Sequence, residues 1–187
     1  AFHKAGKKFV VLINAGNPIE VASWADKADA ILCIGLSGEQ IGNSMADVFT
    51  GAVNPSGKLT CTWPKKFSDT PYAEFHPGNN TTVVYNDDIY VGYRYYSTFG
   101  VDVMYEFGYG LSYTKFDYSN FNITKDGENY VLSVNVKNIG SVAGSEVVQF
   151  YVTKPDGTNE HPVKELVGYG KTSVLSPNAT ETITITV

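Results

Sequence analysis

The first 68 residues alternate between short apolar runs and amphipathic stretches. Three apolar runs of strand length lie at residues 9–13, 30–34 and 58–63. Two stretches with apolar side chains at helical spacing separate them, at residues 19–28 and 39–50. Continuous apolar strands are typical of a sheet covered on both faces. The strand–helix–strand–helix–strand order therefore predicts an α/β parallel-sheet segment with right-handed crossovers, part of an α/β sandwich.

Residues 69–114 have a different character. Proline, glycine and asparagine are frequent between Pro71 and Asn80, which predicts a long loop. Eight tyrosines follow between Tyr85 and Tyr113. Aromatic side chains stack on sugar rings and also dominate protein interfaces. We interpret this stretch as a connector whose tyrosines hold two domains together.

From about Lys115 onward, apolar and polar residues alternate with the period of two that is typical of strands. Five strands are predicted, at about residues 116–121, 130–136, 146–152, 165–174 and 181–187. This spacing favours an all-β immunoglobulin-like or fibronectin III-like sandwich, a fold of about seven strands. We expect residues 115–187 to be an incomplete sandwich. The small parallel sheet, with its exposed edges, likewise predicts that the chain is truncated at both ends.

Charge excludes some classes of partner. The 187 residues carry a formal net charge of −5, and Arg94 is the only arginine. Nucleic-acid binders usually present a clustered basic face, so no nucleic-acid partner is expected. No apolar run approaches the roughly 18 residues of a membrane span, so no membrane partner is expected either.

The cysteines and histidines suggest no metal or cofactor. His3, His76 and His161 lie far apart, without the spacing of metal ligands. Cys33 and Cys61 lie inside strand-like apolar runs and form no CxxC motif. We expect two buried, reduced thiols, because free cysteine is commonly buried. A disulfide between the two cysteines is the alternative if their strands are neighbours.

Several carboxylates are candidates for chemistry. Glu39 follows a Gly-Leu-Ser-Gly loop between a predicted strand and a predicted helix. Ligands of open α/β sheets bind at that end of a strand, but a glutamate there also interacts favourably with its own helix terminus. A pair of carboxylates in the loop region could cleave a glycosidic bond. The spacing of the four there does not show that they meet, and we expect solvated side chains: Glu74, Asp87, Asp88 and Glu106.

Motifs along nearly the whole chain, in order, resemble glycoside hydrolase family 3. They are the strand–loop segment 12–20, the helix 38–48, the turn 54–59, Trp63-Pro64, the tyrosine segments 90–96 and 107–113, and residues 163–169. Each motif is weak alone, and together they are specific. The resemblance implies that residues 1–68 are the C-terminal part of an α/β-sandwich domain and 69–114 a tyrosine-rich connector. It also implies that residues 115–187 are a fibronectin III-like domain.

Members of this family are typically retaining β-glucosidases. The resemblance implies an aspartate nucleophile on a TIM-like barrel and a glutamate acid/base in the α/β sandwich, usually in a Glu-Gly-x-Asp-Arg context. A retaining mechanism needs two carboxylates about 5–5.5 Å apart. This sequence contains neither the barrel nor that glutamate motif, so we assign no catalytic residue, Glu39 included. The substrate-binding residues stay unknown.

The sequence is therefore compatible with two functions. In the first, the chain is a fragment of a β-glucosidase that hydrolyses terminal β-D-glucosyl residues, and it braces an active site whose nucleophile and acid/base lie outside it. Its partners are then the TIM-like barrel, the N-terminal part of the α/β sandwich and a β-glucoside substrate. In the alternative, the chain is a non-catalytic carbohydrate-binding or scaffolding module that uses connector tyrosines such as Tyr93 and Tyr95. The choice between glucose and xylose stays open, as do the oligomeric state and the compartment.

Overall fold

The computed structural model describes residues 3–155, 157 and 159–187, which divide into two compact units. The first unit comprises the described residues up to Ser44 together with Thr60–Phe107. The second comprises Met45–Leu59 and the described residues of Gly108–Val187. In the part of the chain that is described, no helix has the length and apolar character needed to cross a membrane.

The first unit contains a parallel strand pair. Strand β1 (Val10–Ile13) pairs with β2 (Ala30–Cys33), with Val10 opposite Ala30. The connection is not the predicted helix 19–28 but a loop with one 3-10 turn at Ala25–Lys27. An isolated stretch of this length has little helical stability of its own. Here only Val21 and Ala25 are buried, too few for an apolar stripe.

Helix α1 (Ile41–Thr50) confirms the second predicted helix and starts two residues later than expected. It ends at Gly51, whose positive φ of 78° is conformationally easy only for glycine. The Gly51 N–H donates a hydrogen bond to the Val48 carbonyl at 3.1 Å.

The third predicted strand does not join the parallel sheet, so that part of the prediction is wrong. The only strand residues there are Trp63–Pro64 (β3), which pair antiparallel with β4 (Val103–Tyr105). Trp63 is 3% exposed, and its ring meets that of Tyr105 edge-on with centroids 6.1 Å apart. Pro64 has no N–H to extend a ladder, which explains why β3 stops there.

The tyrosine-rich stretch contains a helix that the hydrophobic pattern did not predict, α2 (Tyr93–Phe99). It lies between Gly92 (φ 59°) and Gly100 (φ 63°), two backbone conformations that suit glycine. The loop before it holds two single 3-10 turns, Phe67–Asp69 and Ala73–Phe75; a further one, His3–Ala5, precedes β1. Among the described residues of the first unit, six apolar side chains are buried: Ile13, Val21, Ala25, Trp63, Tyr90 and Tyr96.

The second unit contains the five predicted strands. They are β5 (Phe116–Asp126), β6 (Asn129–Asn138), β7 (Val147–Val152), β8 (Glu165–Lys171) and β9 (Thr180–Thr186). One antiparallel sheet has the order β5-β6-β9 and the other pairs β7 with β8. The sheet-rich architecture agrees with the all-β expectation for residues 115–187.

The core of the second unit lies between these two sheets. Seven buried side chains form it: Leu132, Val134, Val136, Val148, Phe150, Leu175 and Ile183. Strand β8 approaches β9 closely through its glycines, because a Cβ at Gly168 or Gly170 would lie only 2.6 or 2.5 Å from a side-chain carbon of Ile185 or Ile183. Strand β5 differs from the others in that nearly all of its residues are exposed.

Candidate functional site

The tyrosines around α2 pack against aromatic neighbours within the first unit. The Tyr93 ring stacks on Phe107 with centroids 5.1 Å apart and an interplanar angle of 23°. Tyr95 contacts the rings of Tyr96 and Phe99 at 5.3 and 5.2 Å. These distances are those of attractive aromatic pairs. One face of Tyr93 is therefore occupied by protein, which favours the packing role for this segment over an open platform for sugar rings.

Tyr96 is the buried member of this aromatic group, with 7% of its surface exposed. Burial, with smaller contributions from Tyr95 and the Asp69 carboxylate, raises the pKa of Tyr96 to about 12. Its phenol therefore stays neutral across the physiological range. The Tyr96 side chain therefore contributes to packing rather than to proton transfer.

The candidate carboxylates lie in turns and loops of the described chain. Glu39 lies exposed in the turn before α1, Glu74 in a 3-10 turn and Glu106 directly after β4. Asp88 is also exposed, and Asp87 is half-buried. Four of these five side chains therefore face solvent, and Asp87 is partly enclosed.

Both cysteine thiols are free and only partly buried, which makes them less enclosed than the sequence suggested. Burial raises the pKa of the Cys61 thiol. Because the thiolate is the reactive form, a raised pKa makes this side chain a poor nucleophile near neutral pH. Within the described residues, no group of three or more histidine, cysteine, aspartate or glutamate side chains could hold a metal ion.

Asn54, in the Asn-Pro-Ser-Gly turn, holds together three segments of the second unit. Its Oδ1 accepts hydrogen bonds from the Ser112 hydroxyl at 3.0 Å and the Tyr113 N–H at 2.9 Å. Its Nδ2 donates to the Ala143 carbonyl at 2.9 Å. The Tyr113 hydroxyl in turn donates to the Val48 carbonyl at 2.9 Å. Two of the motifs that carried the family resemblance therefore contribute cross-links between segments.

Lys58 forms a second cross-link in the same unit. Its Nζ lies 2.8 Å from Glu146 Oε1, and it donates to the Gly110 carbonyl at 2.7 Å. Both charged side chains are nearly buried, with 16% and 12% of their surfaces exposed. Burial, and then the charge of Glu146, raises the pKa of nearby Tyr118 to about 12. Sequence reasoning missed this pair, because nothing local to either residue indicates the other.

An apolar cleft of about 480 Å³ opens in the second unit between the two sheets, beside β5 and β7. Nine residues line it: Tyr118, Phe121, Leu132, Val134, Val147, Val148, Gln149, Phe150 and Tyr151. The lining contains no carboxylate and no histidine, so the cleft lacks the groups that glycoside cleavage needs. The Phe121 side chain at the edge of the cleft is 62% exposed, so the apolar surface of the cleft continues onto the outside of the unit.

Two protein-family profiles match the chain. Residues 1–113 match the Glycosyl hydrolase family 3 C-terminal domain, and residues 146–187 match the Fibronectin type III-like domain. A curated relative, the thermostable β-glucosidase B of Acetivibrio thermocellus, is 44% identical over 95% of this chain and 24% of its own length.

Solved structures give the same picture. β-Glucosidase 3B of Thermotoga neapolitana, in complex with glucose, superimposes with a TM-score of 0.94 at 47% identity, over 100% of this chain and 26% of its own. The β-glucosidase of Kluyveromyces marxianus in complex with glucose gives a TM-score of 0.87 at 40% identity, over 95% of this chain and 21% of its own. This chain thus spans about a quarter of the length of these relatives. It belongs to glycoside hydrolase family 3 and carries the C-terminal domain of that family followed by a fibronectin type III-like domain.

Proposed function

We propose that this chain is part of a retaining β-glucosidase that hydrolyses terminal β-D-glucosyl residues. The observation that carries the proposal is its similarity, along the whole chain, to proteins named as β-glucosidases. In this proposal the nucleophile and the acid/base lie in the other three quarters of the parent enzyme. The chain itself binds no cofactor and holds no catalytic carboxylate.

The contribution of this part of the enzyme is to brace the active site. We assign residues 1–68 to the C-terminal part of an α/β-sandwich domain, 69–114 to a tyrosine-rich connector and 115–187 to a fibronectin III-like domain. The cross-links from Asn54 and Lys58 support a bracing role, because they tie separate segments of the chain through side chains rather than sheet ladders. The partners are a TIM-like barrel and the N-terminal part of the α/β sandwich.

The fibronectin III-like domain is completed, in this proposal, by further strands of the parent chain. The five strands β5–β9 are fewer than the roughly seven of such a sandwich. The apolar cleft beside β5 and β7 supports the idea, since a strand placed there would cover the exposed side chain of Phe121. Burying that surface would also fill the space between the sheets.

Hydrolysis of a chromogenic β-glucoside tests the proposal. The parent polypeptide is expected to turn over the substrate, and the isolated 187-residue chain is expected to show none. A matched deletion of these residues from the parent should abolish turnover. Activity in the isolated chain would place a catalytic pair within it and overturn the assignment. An inactive but folded parent would reject the β-glucosidase function.

A carbohydrate-binding or scaffolding module is the alternative. The observation in its favour is that some tyrosines of the connector stay exposed, with Tyr85 at 86%. Micromolar binding of cello-oligosaccharides by the chain, abolished by Tyr93→Ala or Tyr95→Ala, would support it. We prefer the first function because the rings of Tyr93 and Tyr95 already pack against protein.

A further inference from the structure

Arg94, in the first unit, has one buried side-chain nitrogen without a hydrogen-bond partner among the described residues. It lies in α2, and its Nε is buried without a hydrogen-bond partner among the described residues. Its guanidinium carbon lies 5.7 Å from the centroid of the Tyr93 ring. None of the ion pairs found among the described residues involves Arg94.

This arrangement is unusual for an arginine. The guanidinium is charged at all relevant pH values and presents five N–H donors in a planar fork. Buried donors in native proteins are almost always paired, and leaving one unpaired is destabilising. The Tyr93 ring face attracts the positive charge but provides no oxygen for the N–H groups. The buried Nε–H of Arg94 therefore has no acceptor within the described part of the chain.

The segment that leads into α2 has an exposed apolar surface. Five of its side chains are 38–86% exposed: Val83, Val84, Tyr85, Ile89 and Val91. Contiguous exposed apolar side chains of this kind mark an interaction surface. A positive group beside an apolar patch is complementary to a surface that presents a carboxylate among apolar residues. About three quarters of the length of the similar β-glucosidases lies outside the part that matches this chain.

We infer that Arg94 anchors an interface with the remainder of the parent polypeptide. An aspartate or glutamate outside residues 1–187 accepts hydrogen bonds from the guanidinium, and the segment 83–91 packs its apolar side chains against the same surface. A planar carboxylate matches the fork of an arginine in a bidentate pair. The inference rests on the proposed function in that it requires a longer parent chain, and it does not depend on which glycoside that chain cleaves.

Zero-length cross-linking of the parent polypeptide tests the inference. R94K places a primary amine at the anchor, and a carbodiimide joins an amine to a carboxylate in direct contact with it. Mass spectrometry of the digest should show one new amide between position 94 and an acidic residue outside residues 1–187. Lys65 is the matched positive control, because its Nζ lies 2.9 Å from Asp102 and should be joined to it in the same sample. The unsubstituted parent, which has no amine at position 94, gives the background.

A thermal melt gives a second readout that does not need the introduced amine. If Arg94 has a carboxylate partner in the parent, R94M lowers the melting temperature, and R94E lowers it further by placing two carboxylates together. If Arg94 has none, R94M leaves the melting temperature unchanged or raises it, because an unpaired buried donor is removed. K65M is the control, since the pair it breaks is exposed.

The outcomes separate this inference from the proposed function. A link from position 94 only to carboxylates within residues 1–187, or no link while Lys65 joins Asp102, overturns the inference. An R94M melting temperature equal to or above that of the unsubstituted parent does the same. A parent that forms the expected link but does not hydrolyse β-glucosides rejects the proposed function and leaves the interface in place.

Discussion

At the scale of single residues, the pair of Lys58 and Glu146 is the clearest determinant of stability. Both side chains are nearly buried, so each charge has lost most of its hydration. Removing one member of such a pair leaves the other buried and uncompensated, which costs about 3–5 kcal/mol. Replacing both by apolar groups is often close to neutral, because no charge is then left behind.

We therefore expect Lys58→Met to lower the free energy of unfolding of the chain by about 3 kcal/mol. The double variant Lys58→Met/Glu146→Leu should recover most of that loss. Equilibrium urea denaturation, followed by far-ultraviolet circular dichroism, measures both values.

Lys65→Met is the matched control for this prediction. Its ion pair with Asp102 is exposed, with 43% and 87% of the two side chains accessible. Exposed pairs contribute about 0–1 kcal/mol, so this variant should be nearly as stable as the unsubstituted chain. Equal stabilities for Lys58→Met and Lys65→Met would show that burial does not set the strength of the Lys58 pair.

The candidate site shows which residue roles the sequence could not reveal. Lys58 and Asn54 lie in recognisable motifs, but their partners Glu146 and Ala143 are far away in the chain. A single sequence carries no signal for such long-range pairs. The sequence predicted that the connector tyrosines hold two domains together, whereas the ring contacts seen for Tyr93 and Tyr95 lie within the first unit.

At the scale of elements, the turn after β6 depends on Asn138, which is fully buried. Its Oδ1 accepts hydrogen bonds from the Thr114 hydroxyl at 2.6 Å and the Gly140 N–H at 3.0 Å. Its Nδ2 donates to the carbonyls of Val142 and Leu175, both at 2.8 Å. One amide thus satisfies four polar groups from three segments.

We predict that Asn138→Ala lowers the free energy of unfolding by about 3 kcal/mol or more, because buried donors and acceptors lose their partners together. Asn135→Ala is the control on the same strand. Its side chain accepts one exposed hydrogen bond, from Thr182 at 2.7 Å, and its loss should cost at most about 1 kcal/mol. Urea denaturation of the two variants compares them, and similar losses would contradict the special role of Asn138.

The elements differ in how well the sequence predicted them, for a physical reason. Strands β6 and β9 pack one face on the core, so their apolar residues alternate and their positions can be read directly. The stretch 19–28 has helical spacing but buries little, and it forms a loop with one 3-10 turn instead. Helix α2 was missed because it has only seven residues, four of them aromatic; the glycines that border it were its only signal.

At the scale of the whole molecule, the parallel strand pair β1 and β2 leaves apolar side chains exposed. Parallel sheets are normally covered on both faces. On β1, however, Val10 and Leu12 are 42% and 46% exposed on one face, and Ile13 is buried. In the proposed enzyme, the remainder of the α/β-sandwich domain covers the face that carries Val10 and Leu12.

Leu12→Ser should therefore have different effects in the isolated chain and in the parent polypeptide. In the isolated chain the side chain is half exposed, and we expect a loss below about 1 kcal/mol. In the parent we expect about 3 kcal/mol, because a buried leucine is truncated and a hydroxyl is buried in its place. Differential scanning calorimetry of both proteins measures the shifts in melting temperature. Leu132→Ser is the control, since Leu132 belongs to the core of the second unit and should destabilise both proteins strongly. A small shift for Leu12→Ser in both proteins would mean that this face of β1 stays uncovered in the parent, and the assignment of residues 1–68 to an α/β sandwich would fail with it.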